Sequence, residues 1–117
     1  MNEGDVILMP LPQNDSRIKY RPAIVLREMP RYRDILVCGV SSQLRQFING
    51  FDELIRQNDN DFITSGLLTD SVIRLGFLTV LPRHTVSGSI GKISSERYRR
   101  LLQRLSAYLI EKAKIYS

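Results

Sequence analysis

Two side chains stand out because their backbone context fixes where they sit. Arg21 precedes Pro22, and a proline ring pushes the residue before it toward extended geometry. An arginine held at the start of a strand, at the rim of a polar segment, offers five donors in a rigid fork. That fork suits bidentate contact with a phosphate, although a surface ion pair would use the same donors. Ser41 ends the apolar run Ile35-Leu36-Val37-Cys38-Gly39-Val40, so its hydroxyl stands at a strand end. A serine there also commonly closes a turn.

Other chemistries are poorly supplied. The chain has one His and one Cys, too few for a zinc cage or for a pair of histidines acting as acid and base. His84 lies in the turn-like Leu81-Pro82-Arg83-His84-Thr85, where an exposed or hydrogen-bonded imidazole is the commoner outcome than a catalytic one. Cys38 sits in an apolar run, as buried and inert thiols do, and has no second cysteine to bridge. No glycine-rich phosphate loop is present. Neither a metal nor a cofactor is expected.

The elements that must carry these residues are strands first and a helix last. Val6–Met9, Ala23–Leu26, Ile35–Val40 and Val72–Leu81 are strand-length and rich in Val and Ile. Several are nearly continuous rather than alternating, which suits strands covered on both faces. Pro10–Lys19 is polar and turn-rich and reads as a long hairpin loop. Phe51–Ile55 suits an edge strand, and Asp59–Thr64 a single helical turn ending at Gly66. From Ser94 the period changes: Tyr98, Leu101, Leu102, Leu105, Tyr108 and Leu109 make an apolar stripe on one helix face. Ser94 suits the N-cap, with Glu96 in the first turn, while Arg97, Arg100 and Arg104 fall off the stripe. This order argues for an α+β domain, a short sheet curling into a small barrel with a C-terminal amphipathic α-helix, spanning residues 1–117 as one unit.

Formal net charge is +5, unevenly spread. Residues 71–117 hold nine Lys/Arg against two acids, and residues 44–70 hold five acids against two Arg. A basic excess of this kind favours an anionic partner such as nucleic acid; a solvated helix face is the alternative for the C-terminal arginines. No run approaches the roughly 18 apolar residues of a membrane helix, and the acidic N-terminus lacks a signal-peptide layout. A cytoplasmic protein with no membrane association is expected.

Read in order, Gly4-Asp5-Val6, Tyr20-Arg21-Pro22-Ala23-Ile24-Val25, Val40-Ser41-Ser42-Gln43, Asp70-Ser71-Val72-Ile73 and Ile90-Gly91-Lys92-Ile93-Ser94 resemble the MazF/PemK (Kid) family of type II toxins over nearly the whole chain. The resemblance implies an SH3-like β-barrel, a homodimer and a cognate antitoxin protein. It also implies sequence-specific endoribonuclease cleavage of single-stranded mRNA, leaving a 2′,3′-cyclic phosphate and a 5′-hydroxyl. Arg21 and Ser41 take the catalytic positions, Ser41 aligning with the family's threonine. RNA positioning then falls to Arg17 and Lys19 in the loop and to Gln43 beside Ser41. Tyr20, Phe47 and Phe51 could stack bases, though core or edge packing suits each better. The chain departs from the family at Arg74-Leu75-Gly76-Phe77-Leu78-Thr79, where many members carry a polar Gln-Ile-Arg stretch. Two alternatives therefore stand: an inactive relative that binds RNA or antitoxin without cutting, and a gyrase poison on the same barrel type.

Overall fold

The computed structural model describes residues 1–113. Its elements are β1 (Asp5–Pro12), β2 (Ile18–Glu28), β3 (Ile35–Ser41), β4 (Glu53–Ile55), α1 (Phe62–Ser65), β5 (Ser71–Leu81), β6 (Ser89–Lys92) and α2 (Ser95–Glu111). Short 3₁₀ turns occupy Leu44–Gln46 and Arg83–Thr85. The strands form one six-stranded sheet in the order β4-β5-β3-β2-β1-β6, and its paired strands run antiparallel. The architecture is α+β, and no helix among the described residues is long and apolar enough to cross a membrane.

The apolar runs fail to alternate because both sheet faces are covered. One face carries Val6, Ile24, Leu26, Cys38, Val40, Ile73 and Leu75, packed against Ile93, Leu101 and Leu105. The other carries Ile7, Met9, Ala23, Val25, Ile35 and Val37, closed over by Val86. Cys38 is fully buried, and burial pushes its thiol up to about 12, so it stays protonated and inert. Helix α2 is capped as its sequence requires: the Arg97 N–H donates to Ser94 Oγ at 3.1 Å. Leu101 and Leu105 are buried beneath it, whereas Tyr108 and Leu109, from the same stripe, are exposed. The stripe outlasts the sheet it covers.

The sheet's edges are β4 and β6, and α1 bridges toward β6. Gly66 ends α1 at φ 75°, a left-handed conformation that suits glycine. Gly91 in β6 lets α1 come close, since a Cβ there would run into the Thr64 carbonyl oxygen. The edge strand and helical turn expected between residues 51 and 66 are both present.

The expected long loop after β1 is mostly strand. The β1–β2 ladder continues through Pro10↔Tyr20 and Pro12↔Ile18, leaving residues 13–17 as the turn, where the Gln13 N–H donates to the Arg17 carbonyl at 2.8 Å. Strand β6 pairs only with Asp5–Ile7, and β3 pairs with β2 only from Ala23 onward. The outer halves of β1 and β2 thus form a two-stranded ribbon projecting past the sheet. Pro10 and Pro12 are tolerated because their missing donors fall on an unpaired edge.

Candidate functional site

The site forms where the ribbon leaves the sheet. Ala23 pairs with Gly39, and carrying that register two residues further sets Arg21 level with Ser41. Residues two apart on a strand share a face, so Arg21 and Ser41 lie on the face of Ala23 and Val37, opposite the one covered by α2. With Met9, Leu11, Gly39, Gln43, Gln46, Arg74 and Phe77 they line a cleft of about 240 Å³.

A bulge in β5 shapes the opposite wall. Cys38 pairs with Leu78, but Gly39 pairs with Arg74, so Leu75, Gly76 and Phe77 have no partners on β3. The Leu75 N–H donates instead to Asp52 Oδ1 at 3.1 Å, and Asp52 Oδ2 accepts from the Ile48 N–H at 3.0 Å. Asp52 is 2% exposed, and its one carboxylate ties the bulge to the segment that follows Ser41. Bulges re-aim side chains, and this one delivers both Arg74 and Phe77 to the cleft. The Arg74 guanidinium lies 5.9 Å from the Phe77 ring centroid. Gly39 makes room for that ring, since a Cβ there would come within 2.9 Å of it.

The side chains in the cleft differ in what they already hold. Arg21 is exposed and enters none of the ion pairs formed among the described residues. Ser41 Oγ accepts from the Gln43 N–H at 3.0 Å. It does close a turn, and that contact fixes the oxygen while leaving its O–H to donate. Gln46 Oε1 is buried and has no hydrogen-bond partner among the described residues.

Not every residue singled out from the sequence gathers here. Arg17 and Lys19 line a separate depression with Gln13, Asn14 and Asp15 at the ribbon tip. Lys19 lies in β2 rather than in a loop, and Arg17 pairs with Asp15 at 3.3 Å. Tyr20 is exposed on the ribbon rather than packed, while Phe51 packs against Tyr108 with ring centroids 4.9 Å apart and Phe47 is half-buried. His84 is exposed in its 3₁₀ turn and does not line the cleft.

The sequence model of a family described as PemK-like, MazF-like toxin of type II toxin-antitoxin system matches residues 2–109. The chain belongs to this family. No curated protein matches it. Membership makes an antitoxin its partner. The departure from the PemK/MazF pattern at residues 74–79 coincides with the β5 bulge, and Arg74 still reaches the cleft. Arg74, Gln46 and Asp52 were missed from sequence; only the basic character of Arg74 within an apolar strand hinted at a special position.

In this PemK/MazF-family toxin Arg97, Arg100 and Arg104 are tied into the fold, whereas Arg99 on the same helix is exposed and enters none of the ion pairs among the described residues. Arg97 is 6% exposed and donates to Asp61 at 2.8 Å, Glu53 at 2.9 Å and Asp59 at 3.1 Å. Arg100 reaches Glu53 at 2.9 Å, and Arg104 the Asp52 carbonyl at 2.9 Å. Burial pushes the Asp61 carboxyl up, but the Arg97 guanidinium and the Ser94 N–H outweigh it and hold it below its ordinary value. Three arginines of the basic helix and the acidic stretch before it thus pair with each other. Lys114, counted in the basic excess, lies outside the described residues.

Proposed function

We propose that this toxin is a metal-independent endoribonuclease that cuts single-stranded mRNA at a short sequence. What supports the reading is the convergence of Arg21, Arg74 and Ser41 on one cleft. In the reaction a ribose 2′-oxygen attacks the adjacent phosphorus and the bond to the 5′-oxygen breaks. The products are a 2′,3′-cyclic phosphate and a 5′-hydroxyl, the 2′-proton being lost and the leaving oxygen taking one up. Negative charge grows on the phosphoryl oxygens as this happens. Arg21 supplies positive charge there, aided by the Ser41 hydroxyl, and Arg74 supplies a second cation from the opposite wall. Arginine holds its proton too tightly to exchange it freely near neutrality, so its role is electrostatic. Gln43 contacts a base, while Lys19 and Arg17 track the strand beyond the cleft.

The curled sheet is read as a small SH3-like barrel, residues 1–117 as one toxin domain, and the functional particle as a cytoplasmic homodimer. Incubating the purified protein with a long single-stranded RNA in EDTA tests the reaction. Discrete fragments from the wild type, and none from R21A in the same time, support it. Retarded but intact RNA would identify a non-cutting binder; intact, unbound RNA with stalled gyrase would identify a gyrase poison.

A further inference from the structure

Gln46 sits at the end of the 3₁₀ turn that follows Ser41, and its own N–H donates to the Gln43 carbonyl at 3.0 Å. Its side chain lines the same cleft as Arg21 and Ser41, yet Oε1 is buried with no partner; among the described residues it is the one buried side-chain polar atom left so. Buried polar groups in native structures are nearly always paired, by protein, water or ligand. Nothing in the backbone obliges a glutamine here, for the turn is closed by main-chain bonds alone, with the Phe47 N–H donating to the Leu44 carbonyl at 3.1 Å. The amide is therefore free to serve whatever enters the cleft.

We infer that Gln46 is a specificity-determining residue whose side-chain amide, unpaired at Oε1, turns into the cleft when RNA binds and there accepts a hydrogen bond from the exocyclic amine of a base beside the scissile phosphate. The inference rests on the ribonuclease reading and adds to it the class of base preferred. Single-stranded RNA is read by hydrogen bonds to the edges of unstacked bases. Adenine, cytosine and guanine each carry an amine projecting from the ring, which can meet the carbonyl oxygen once the amide has turned into the cleft. Uracil has no amine; its one ring N–H is flanked by two carbonyl oxygens that Oε1 would repel. A site built around a buried acceptor rejects a base lacking the donor, because the acceptor is then left unpaired. Uracil at that position is disfavoured.

The test is a cut-site profile. A random RNA pool is cleaved by wild type and Q46L, and fragment 5′ ends are sequenced. With the wild type, one position next to the cut disfavours uracil on the order of tenfold, as expected of one good hydrogen bond. In Q46L that discrimination disappears at that position alone, while preferences at other positions persist. A defined substrate in which purine riboside replaces adenosine there, deleting only the amine, is cut more slowly by the wild type than the parent RNA, and equally with it by Q46L. Thermal melting separates a purely structural role: Q46L, which removes a buried unpaired acceptor, melts no lower than wild type. An unchanged uracil preference in Q46L, or a uniform loss at all sites with a lowered Tm, overturns the inference. A wild type that cuts no RNA overturns the ribonuclease reading itself, a result distinct from both.

Discussion

Arg21 and Arg74 approach the cleft from different strands, and the proposed cleavage asks the same of each: positive charge beside a phosphoryl group that becomes more negative. Removing one preorganised donor from such a site costs on the order of 10²–10³ in rate. Both R21A and R74A are expected to lose that much in single-turnover cleavage while melting within a few degrees of wild type. Near-wild-type cleavage by R21A would remove its assignment. Because His84 stands outside the cleft, H84A is expected to cleave RNA at the wild-type rate. Arg21 and Ser41 were legible because their signals are local: an arginine before a proline and a hydroxyl ending an apolar run. Arg74 and Gln46 were not, since one depends on a bulge and the other on a 3₁₀ turn that leaves no mark in composition or period.

The bulge in β5 and the ribbon of β1 and β2 are the two elements that sequence reasoning misjudged, for a shared reason. Pro10 and Pro12 signal a break only where a strand needs its donors on that side, and here β1 has no outer neighbour beyond Ile7. Likewise Leu75-Gly76-Phe77 fit a regular strand by residue type, and only the distant Asp52 reveals that the Leu75 donor has left the ladder. The uninterrupted strands, the capped helix and its buried Leu101 and Leu105 were all legible, because period and capping are written within a few residues. D52A leaves the Leu75 and Ile48 donors without their acceptor, and a loss of roughly 2–4 kcal/mol is expected, read as a lower urea midpoint. Cleavage by the folded fraction should also fall, because Arg74 is no longer aimed. A D52A protein as stable as the wild type would show that the bulge stands without its clamp.

Across the molecule, the sequence's most conspicuous electrostatic feature proved to be internal. A basic helix and an acidic segment some 40 residues earlier were counted separately, and only the fold shows Arg97 locked to Glu53 and Asp61. Such pairing is invisible to local reading because its partners are far apart in sequence. It carries a pH signature. The Asp61 carboxyl is held below its ordinary value of 3.8, so its contribution to stability is present above about pH 4 and is lost as pH falls through the depressed folded value. D61N is expected to destabilise by roughly 3 kcal/mol at pH 7, as breaking a buried pair does. The gap between the two melting curves should close on acidification below pH ~4; a gap unchanged at pH 3 would show that Asp61 is not the group concerned.

That pairing has a thermodynamic echo in how the protein meets a polyanion. Each phosphate engaged on a single strand frees condensed cations and contributes about −0.7 to the slope of log affinity against log salt. Were all nine Lys/Arg of residues 71–117 to grip RNA, the slope would approach roughly −6; with Arg17, Lys19, Arg21 and Arg74 to do so, it should lie near roughly −3. On the proposed ribonuclease reading, a toxin built this way would hold its target lightly in an ionic medium and discriminate by fit, leaving the many other polyanions around it largely untouched.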